Sequence, residues 1–135
     1  MSGTAGVSLI ELTVVAIVVS VLAILAVFQS MRAVERGQAA EATHYLAVLR
    51  GAQMRYRAAS GGTYAGQLSD LDVELQASLP RWGAPLLSAP AATGLATLAR
   101  SAGTYAGQTL GMAYTTGTLC GTFEPMQPLP ACAAD

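Results

Sequence analysis

The sequence predicts an α+β protein in which one long N-terminal helix packs against a small antiparallel sheet. Three observations indicate this fold. An uninterrupted apolar segment lies near the N-terminus, a helical repeat of apolar residues follows it, and Gly, Thr, Ser and Pro become frequent after about residue 60. A chain of 135 residues supports one domain of ordinary size. We therefore expect one domain, in which the long helix is followed by a single globular part called the head.

The composition excludes several classes of protein. Hydrophobic residues make up 53% of the chain and charged residues 11%, with a mean hydropathy of +0.46. Simple water-soluble domains carry roughly 25% charged residues, and disordered chains are poor in apolar ones. The net charge of −1 gives no sign of a nucleic-acid-binding face. One His and two Cys are too few for a zinc cluster. The composition indicates a membrane or assembly protein.

Residues 7–28 predict a membrane-spanning helix. Only Glu11 interrupts the apolar run, and its length corresponds to roughly 33 Å of helix, enough for a hydrocarbon core of about 30 Å. Its β-branched residues would favour a strand in water, but in lipid the backbone must bond within its own segment. A cleaved signal peptide is the competing interpretation. A signal peptide needs a basic start and a small-x-small cleavage site, but residues 1–6 contain no Lys or Arg and no such site follows Phe28.

The helix continues beyond the span, through an amphipathic half at residues 29–60. Apolar residues recur there at steps of three and four, which places them on one stripe: Ala42, Tyr45, Leu49, Ala52, Tyr56 and Ala59. Gly61 and Gly62 supply a C-cap, so we expect one helix over residues 8–59. The two tyrosines of the stripe should be core residues between helix and sheet.

Residues 61–135 predict a globular β head. Short apolar runs between turn signals indicate strands at residues 94–100, 108–116 and 118–123. Residues 69–75 should form a short helical turn or an extended connector. These elements together suggest a small antiparallel sheet on the amphipathic stripe.

One hexapeptide, GTYAGQ, occurs at residues 62–67 and again at residues 103–108. The flanking sequences do not match, so a duplicated domain is not supported. We expect two turns, each with a Tyr anchor.

No constellation of catalytic residues is present in the sequence. His44 has no partner nearby in the chain, and there is neither a GxSxG nor a phosphate-binding Gly-rich loop. Asp70, Asp72 and Glu74 alternate along one segment but lack EF-hand spacing, which favours a solvated acidic connector. Trp82 is expected to be a packing or turn anchor. We therefore expect no enzyme activity, no cofactor and no metal site.

The N-terminal motif GVSLIELTVV closely resembles that of the type IV pilin-like prepilins. These proteins share a short hydrophilic leader ending in Gly, followed by an apolar segment with Glu at the fifth mature position. The match makes Gly6 the last residue of a leader at residues 1–6. It makes Val7 the first mature residue and Glu11 the fifth. The resemblance implies cleavage by a prepilin peptidase after Gly6 and N-methylation of Val7. In the family, the corresponding Glu faces the free α-amine of a neighbouring subunit.

The resemblance implies a structural function and a type IV pilin-like fold. The subunit would polymerise through its N-terminal helix into a pilus or related filament that serves adhesion, motility, DNA uptake or secretion. Implied partners are copies of itself, a pilus assembly platform and an ATPase. The location would be the plasma membrane before assembly and an extracellular filament afterwards.

Independently of the resemblance, a carboxylate within an apolar helix costs about 2.5–3.5 kcal/mol, so Glu11 needs a partner or must snorkel toward the interface.

Cys120 and Cys132 enclose a Pro-rich segment, and the family often carries such a C-terminal Cys loop. A disulfide here would stabilise the head by roughly 3 kcal/mol and would require an oxidising compartment. Two free buried thiols are the alternative.

Other features differ from the common family pattern. Arg32 and Arg36 follow the span, and by the positive-inside rule they favour a head on the cytoplasmic side. The expected topology, with the head outside, therefore depends on the resemblance and not on the charges. Ser20 and Phe28 stand where many pilins have helix breakers, so we expect no unwinding between them on assembly. A type II secretion pseudopilin shares the N-terminal half. A single-span membrane-anchored binding protein that does not polymerise is the alternative from another class.

Overall fold

The computed structural model describes residues 8–88 and 94–133, and it has the predicted α+β architecture. One helix, α1 (Leu9–Ala59), precedes a four-stranded antiparallel sheet. Contacts divide the chain into two compact units, Met1–Glu35 and Arg36–Asp135. Gly6 and Val7 lie outside the described residues.

In the first unit, the apolar side chains of α1 are exposed, and no part of the described chain covers them. The large apolar side chains from Leu9 to Val34 are 52–81% exposed. This part of α1 is long and apolar enough to cross a membrane. The hydroxyls of Thr13 and Ser20 donate to helix carbonyls three and four residues earlier, so neither interrupts the helix. The prediction of one continuous helix is confirmed to within one residue.

In the second unit, the strands follow one another as a meander. They are β1 (Leu86–Ser88), β2 (Leu95–Ala99), β3 (Thr109–Ala113) and β4 (Leu119–Gly121), in the order β1-β2-β3-β4. The three predicted strands are confirmed with shorter ends, and β1 was missed. Its three residues are too few to show an alternating pattern, and prolines flank the segment at positions 85 and 90.

The core lies between the sheet and one face of α1. The buried helix residues are Ala39, Ala42, Tyr45, Leu46, Leu49, Ala52 and Gln53. Tyr45 is a core residue as predicted, and its hydroxyl donates to the Gln76 carbonyl at 2.7 Å. The prediction for the end of the stripe was wrong, because Tyr56 is only half-buried and Ala59 is exposed. The final turns of α1 contact the connector that follows the helix instead of the sheet.

Aromatic residues complete the core from the loops. Both GTYAGQ copies contribute their tyrosine as an anchor: the Tyr64 ring lies 4.9 Å from that of Tyr114, and the Tyr105 ring lies 5.7 Å from that of Phe123. Trp82 is 1% exposed and packs on Phe123 at 5.2 Å, which confirms its role as a packing anchor. At the start of the connector predicted over residues 69–75, Leu68–Asp70 forms a short 3-10 helix.

Candidate functional site

Glu11 lies exposed in the first turn of α1, within the uncovered apolar part of the helix. The sequence places no other charged residue between Leu9 and Met31. The N-terminal end of a helix favours a negative charge by about 0.3–1 kcal/mol, which offsets only part of the cost of a carboxylate in an apolar helix. Among the described residues it has no ion-pair partner. The cleavage and methylation predictions for Gly6 and Val7 fall on residues that the structure does not describe.

The uncovered apolar surface is the main structural feature of the first unit. Burying one Val, Leu or Ile side chain is worth about 1.5–3 kcal/mol, and the residues from Leu9 to Val34 include more than a dozen such side chains. Leaving them in water is therefore strongly unfavourable. This part of the helix requires lipid or other protein chains around it.

In the second unit, a buried glutamine attaches the connector to the helix. Gln53 is fully buried, and its amide donates to the Ala65 carbonyl at 2.9 Å while accepting from the Ala65 N–H at 2.8 Å. Sequence reasoning missed Gln53 because a polar residue is not expected in a core. Its spacing of four and seven residues from Leu49 and Leu46 was the available signal.

Arginines beside the buried face of α1 hold the loops of the head. Arg50 donates to the carbonyls of Tyr114 at 2.7 Å and Thr115 at 3.2 Å. Gly117, at a positive φ of 72°, lies against this guanidinium, where a Cβ would come within 3.2 Å of it. Arg57 donates to the Gly62 carbonyl at 3.2 Å and closes the end of the helix.

The acidic connector is solvated, as predicted, but one of its carboxylates has a partner. Arg55 donates two hydrogen bonds to Asp72, at 2.7 and 2.8 Å, and both side chains are exposed. The hydrogen bond from Arg55 lowers the pKa of Asp72 below its ordinary value. Asp70 and Glu74 are also exposed, and the described residues contain no acidic, His or Cys cluster that could hold a metal ion.

Cys120 of β4 and Cys132 form a disulfide, with their Cα atoms 4.9 Å apart, so the free-thiol alternative is wrong. Gly111, opposite Cys120 in the sheet, makes room for it, because a Cβ there would lie 2.9 Å from the Cys132 Sγ. The Gly121 N–H also donates to the Pro130 carbonyl at 2.9 Å. The C-terminal segment is therefore attached to the sheet both by the disulfide and by the backbone.

A groove of about 690 Å³ lies between an exposed face of α1 and the segment after β4. It is lined by Arg36, Ala40, Thr43, His44 and Ala47 of the helix and by Pro125, Met126 and Gln127. The Thr43 hydroxyl donates to the Ala39 carbonyl at 2.8 Å, and the Gln127 amide donates to the Gly121 carbonyl of β4 and accepts from the Leu129 N–H. Their hydrogen-bonding groups are thus occupied internally, which leaves a mainly apolar surface. His44 is exposed here.

Comparison of this chain with protein-family models, with curated proteins and with solved structures gives no match.

Proposed function

We propose that this chain is the structural subunit of a type IV pilus-like filament, held in the plasma membrane before assembly and polymerised through α1. The observation that carries the proposal is the uncovered apolar part of α1, with Glu11 as its one charged residue up to Met31. The resemblance of GVSLIELTVV to the prepilin motif supports the same function.

The exposed apolar side chains of α1 and the Glu11 carboxylate both favour polymerisation. In the monomer, lipid covers the apolar side chains, and Glu11 lies near one end of the span, where it can reach the interface. In a filament, the helices of other copies replace the lipid, and the carboxylate gains a charged partner instead of water. An interface that joins different faces of identical subunits repeats without closing and gives a helical fibre.

The head suits an exposed position on such a fibre. Among the residues that the structure describes, every member of the head's core cluster lies from Ala39 onward, which supports a head that folds without the apolar span. It therefore stays folded while the span moves from lipid to protein. The Cys120–Cys132 disulfide agrees with a location outside the cytoplasm, because disulfides persist in oxidising compartments.

Processing and assembly follow from the resemblance. A prepilin peptidase would remove residues 1–6, the new α-amine of Val7 would be methylated, and a platform protein and an ATPase would drive assembly. The filament would serve adhesion, motility, DNA uptake or secretion. The C-terminal disulfide loop favours a pilin over a secretion pseudopilin.

The test is the intact mass of the protein in sheared surface filaments, with and without reductant. We expect a mass that begins at Val7, carries one methyl group and gains two hydrogens on reduction. A full-length mass found only in the membrane fraction would contradict the proposal and identify a membrane-anchored protein that does not polymerise.

A further inference from the structure

The groove and the apolar span of α1 carry matching patterns of residues. On the helix side of the groove, Arg36, Ala40, Thr43 and Ala47 follow one another at steps of four, three and four. In the span, Glu11, Val15, Val18 and Leu22 follow the same steps. Residues at these steps share one face of a helix. The two sets are related by a constant offset of 25 residues.

The two patterns are complementary in size and charge. The groove has small residues where the span has large ones, so that Ala40 would face Val15 and Ala47 would face Leu22. Small residues let helix backbones approach closely, and larger side chains of the partner fill the space. At the two remaining positions, Thr43 would face Val18, which is of nearly the same size, and the guanidinium of Arg36 would face the carboxylate of Glu11.

Both surfaces are open in the single chain. Ala40, Ala47 and Arg36 are exposed, and a Cβ added at Gly37 would meet no atom within 4 Å. The facing residues of the span are exposed as well. The only hydrogen bond of Arg36 to the described residues runs from Nε to the Pro125 carbonyl at a long 3.3 Å. Its terminal nitrogens therefore point to no acceptor among those residues.

We propose that the groove receives the apolar span of a second copy of this chain, which lies parallel to α1 and is displaced by 25 residues. This inference rests on the proposed function and names the receiving surface for the helix. Two segments of one continuous helix cannot pack side by side, so a second copy supplies the span. The displacement corresponds to roughly 38 Å along the helix axis. Pro125 and Met126 form the wall that flanks the incoming helix.

The pair between Arg36 and Glu11 sets the register. A lone carboxylate in an apolar helix is costly, and a guanidinium on the facing helix offsets that cost with charge-assisted hydrogen bonds. A carboxylate has several acceptor sites, so Glu11 can bond Arg36 of one copy and an α-amine of another. A shift by one heptad would place Glu11 beside Thr43 and remove the ion pair.

Cysteine crosslinking in assembled filaments tests the register directly. The full chain is produced with Val15→Cys and Ala40→Cys together, while the native cysteines stay in their disulfide. The matched control combines Val15→Cys with Ala47→Cys, which uses the same residue types on the same two faces but lies about 10 Å out of register. A disulfide requires Cα atoms within about 7 Å. Mild oxidation should give a reducible ladder of multimers with the first pair, at least tenfold stronger than with the control.

The outcomes separate this inference from the proposed function. Filaments that form without the in-register ladder, or with an equal ladder in the control, overturn the groove and leave polymerisation intact. Absence of filaments from the unaltered protein overturns both.

A second pair of variants tests the charge. Arg36→Glu should abolish filaments, whereas Arg32→Glu, an exposed arginine of α1 that does not line the groove, should leave their yield unchanged. Fluorescence of Trp82, the single Trp, shows whether the head is folded in each variant. A folded Arg36→Glu protein that assembles normally would overturn the role of Arg36.

Discussion

Replacement of Gln53 by Met isolates the contribution of one buried amide to the stability of the head. Met has a similar size, so no large cavity forms, but the N–H and the carbonyl of Ala65 lose their partners in a site where Ala65 is 1% exposed. Each buried backbone group left unsatisfied costs about 1–3 kcal/mol. We expect the free energy of unfolding to fall by about 2–4 kcal/mol. For a domain of this size, that corresponds to a drop in Tm of about 10–20 °C.

The assay is thermal unfolding of the full chain in detergent micelles, followed by the fluorescence of Trp82, which is buried in the head. Gln67→Met is the matched control, because Gln67 is exposed and its side chain makes no capping hydrogen bond. The control should retain the original Tm within about 2 °C, as surface substitutions usually do. A Gln53→Met protein whose Tm falls by less than about 4 °C would refute the reasoning that this amide holds the connector on the helix.

Three further predictions concern other parts of the molecule. Glu11→Leu should still insert into the membrane but form no filaments or misordered ones, as measured by membrane fractionation and electron microscopy; a normal filament yield would contradict the role of Glu11. Burial raises the pKa of the Tyr114 phenol well above its ordinary value. Since the unfolded chain loses this proton near pH 10 and the folded head keeps it, stability should fall as the pH rises above about 10. Tyr114→Phe should flatten that dependence in denaturant titrations, and an unchanged slope would count against it. The pH dependence from Asp72 has the opposite sign. Because the pKa of Asp72 is lower in the folded protein, its carboxylate stabilises the head at neutral pH, and this stabilisation should decline below about pH 4. Asp72→Asn should remove this part of the acid dependence.

The elements that local patterns encode were predicted from the sequence. The helix follows from one long apolar run joined to a repeat of three and four, and β2, β3 and β4 follow from apolar runs between turn residues. Tyr56 was placed in the core because it continues the repeat, yet the sheet does not extend that far along α1. Periodicity shows which face a residue lies on, but only tertiary structure shows how far that face is covered.

The candidate site was predicted only in part, for a related reason. Glu11 and the Cys pair stand out as residue types that are unusual in their surroundings, whereas the groove depends on alanines, which are common on buried and exposed helix faces alike. Ala39 and Ala42 are fully buried in the head, whereas Ala40 and Ala47 on another face of the same helix are exposed. The repeat of three and four places Ala42 on the buried stripe, but nothing local in the sequence shows that the face of Ala40 and Ala47 lines a groove.

The groove exists because a segment about 80 to 90 residues further along the chain forms its second wall. Pro125 and Met126 are brought beside α1 by the meander, and Cys132 fixes the end of their segment to the sheet. The disulfide thus bears on the groove as well as on the stability of the head. If the groove receives the span of a second copy, loss of the disulfide should loosen that wall and weaken assembly even where the core of the head remains folded. On this proposal the two faces of one helix serve different purposes, because one builds the head and the other receives the span of a second copy.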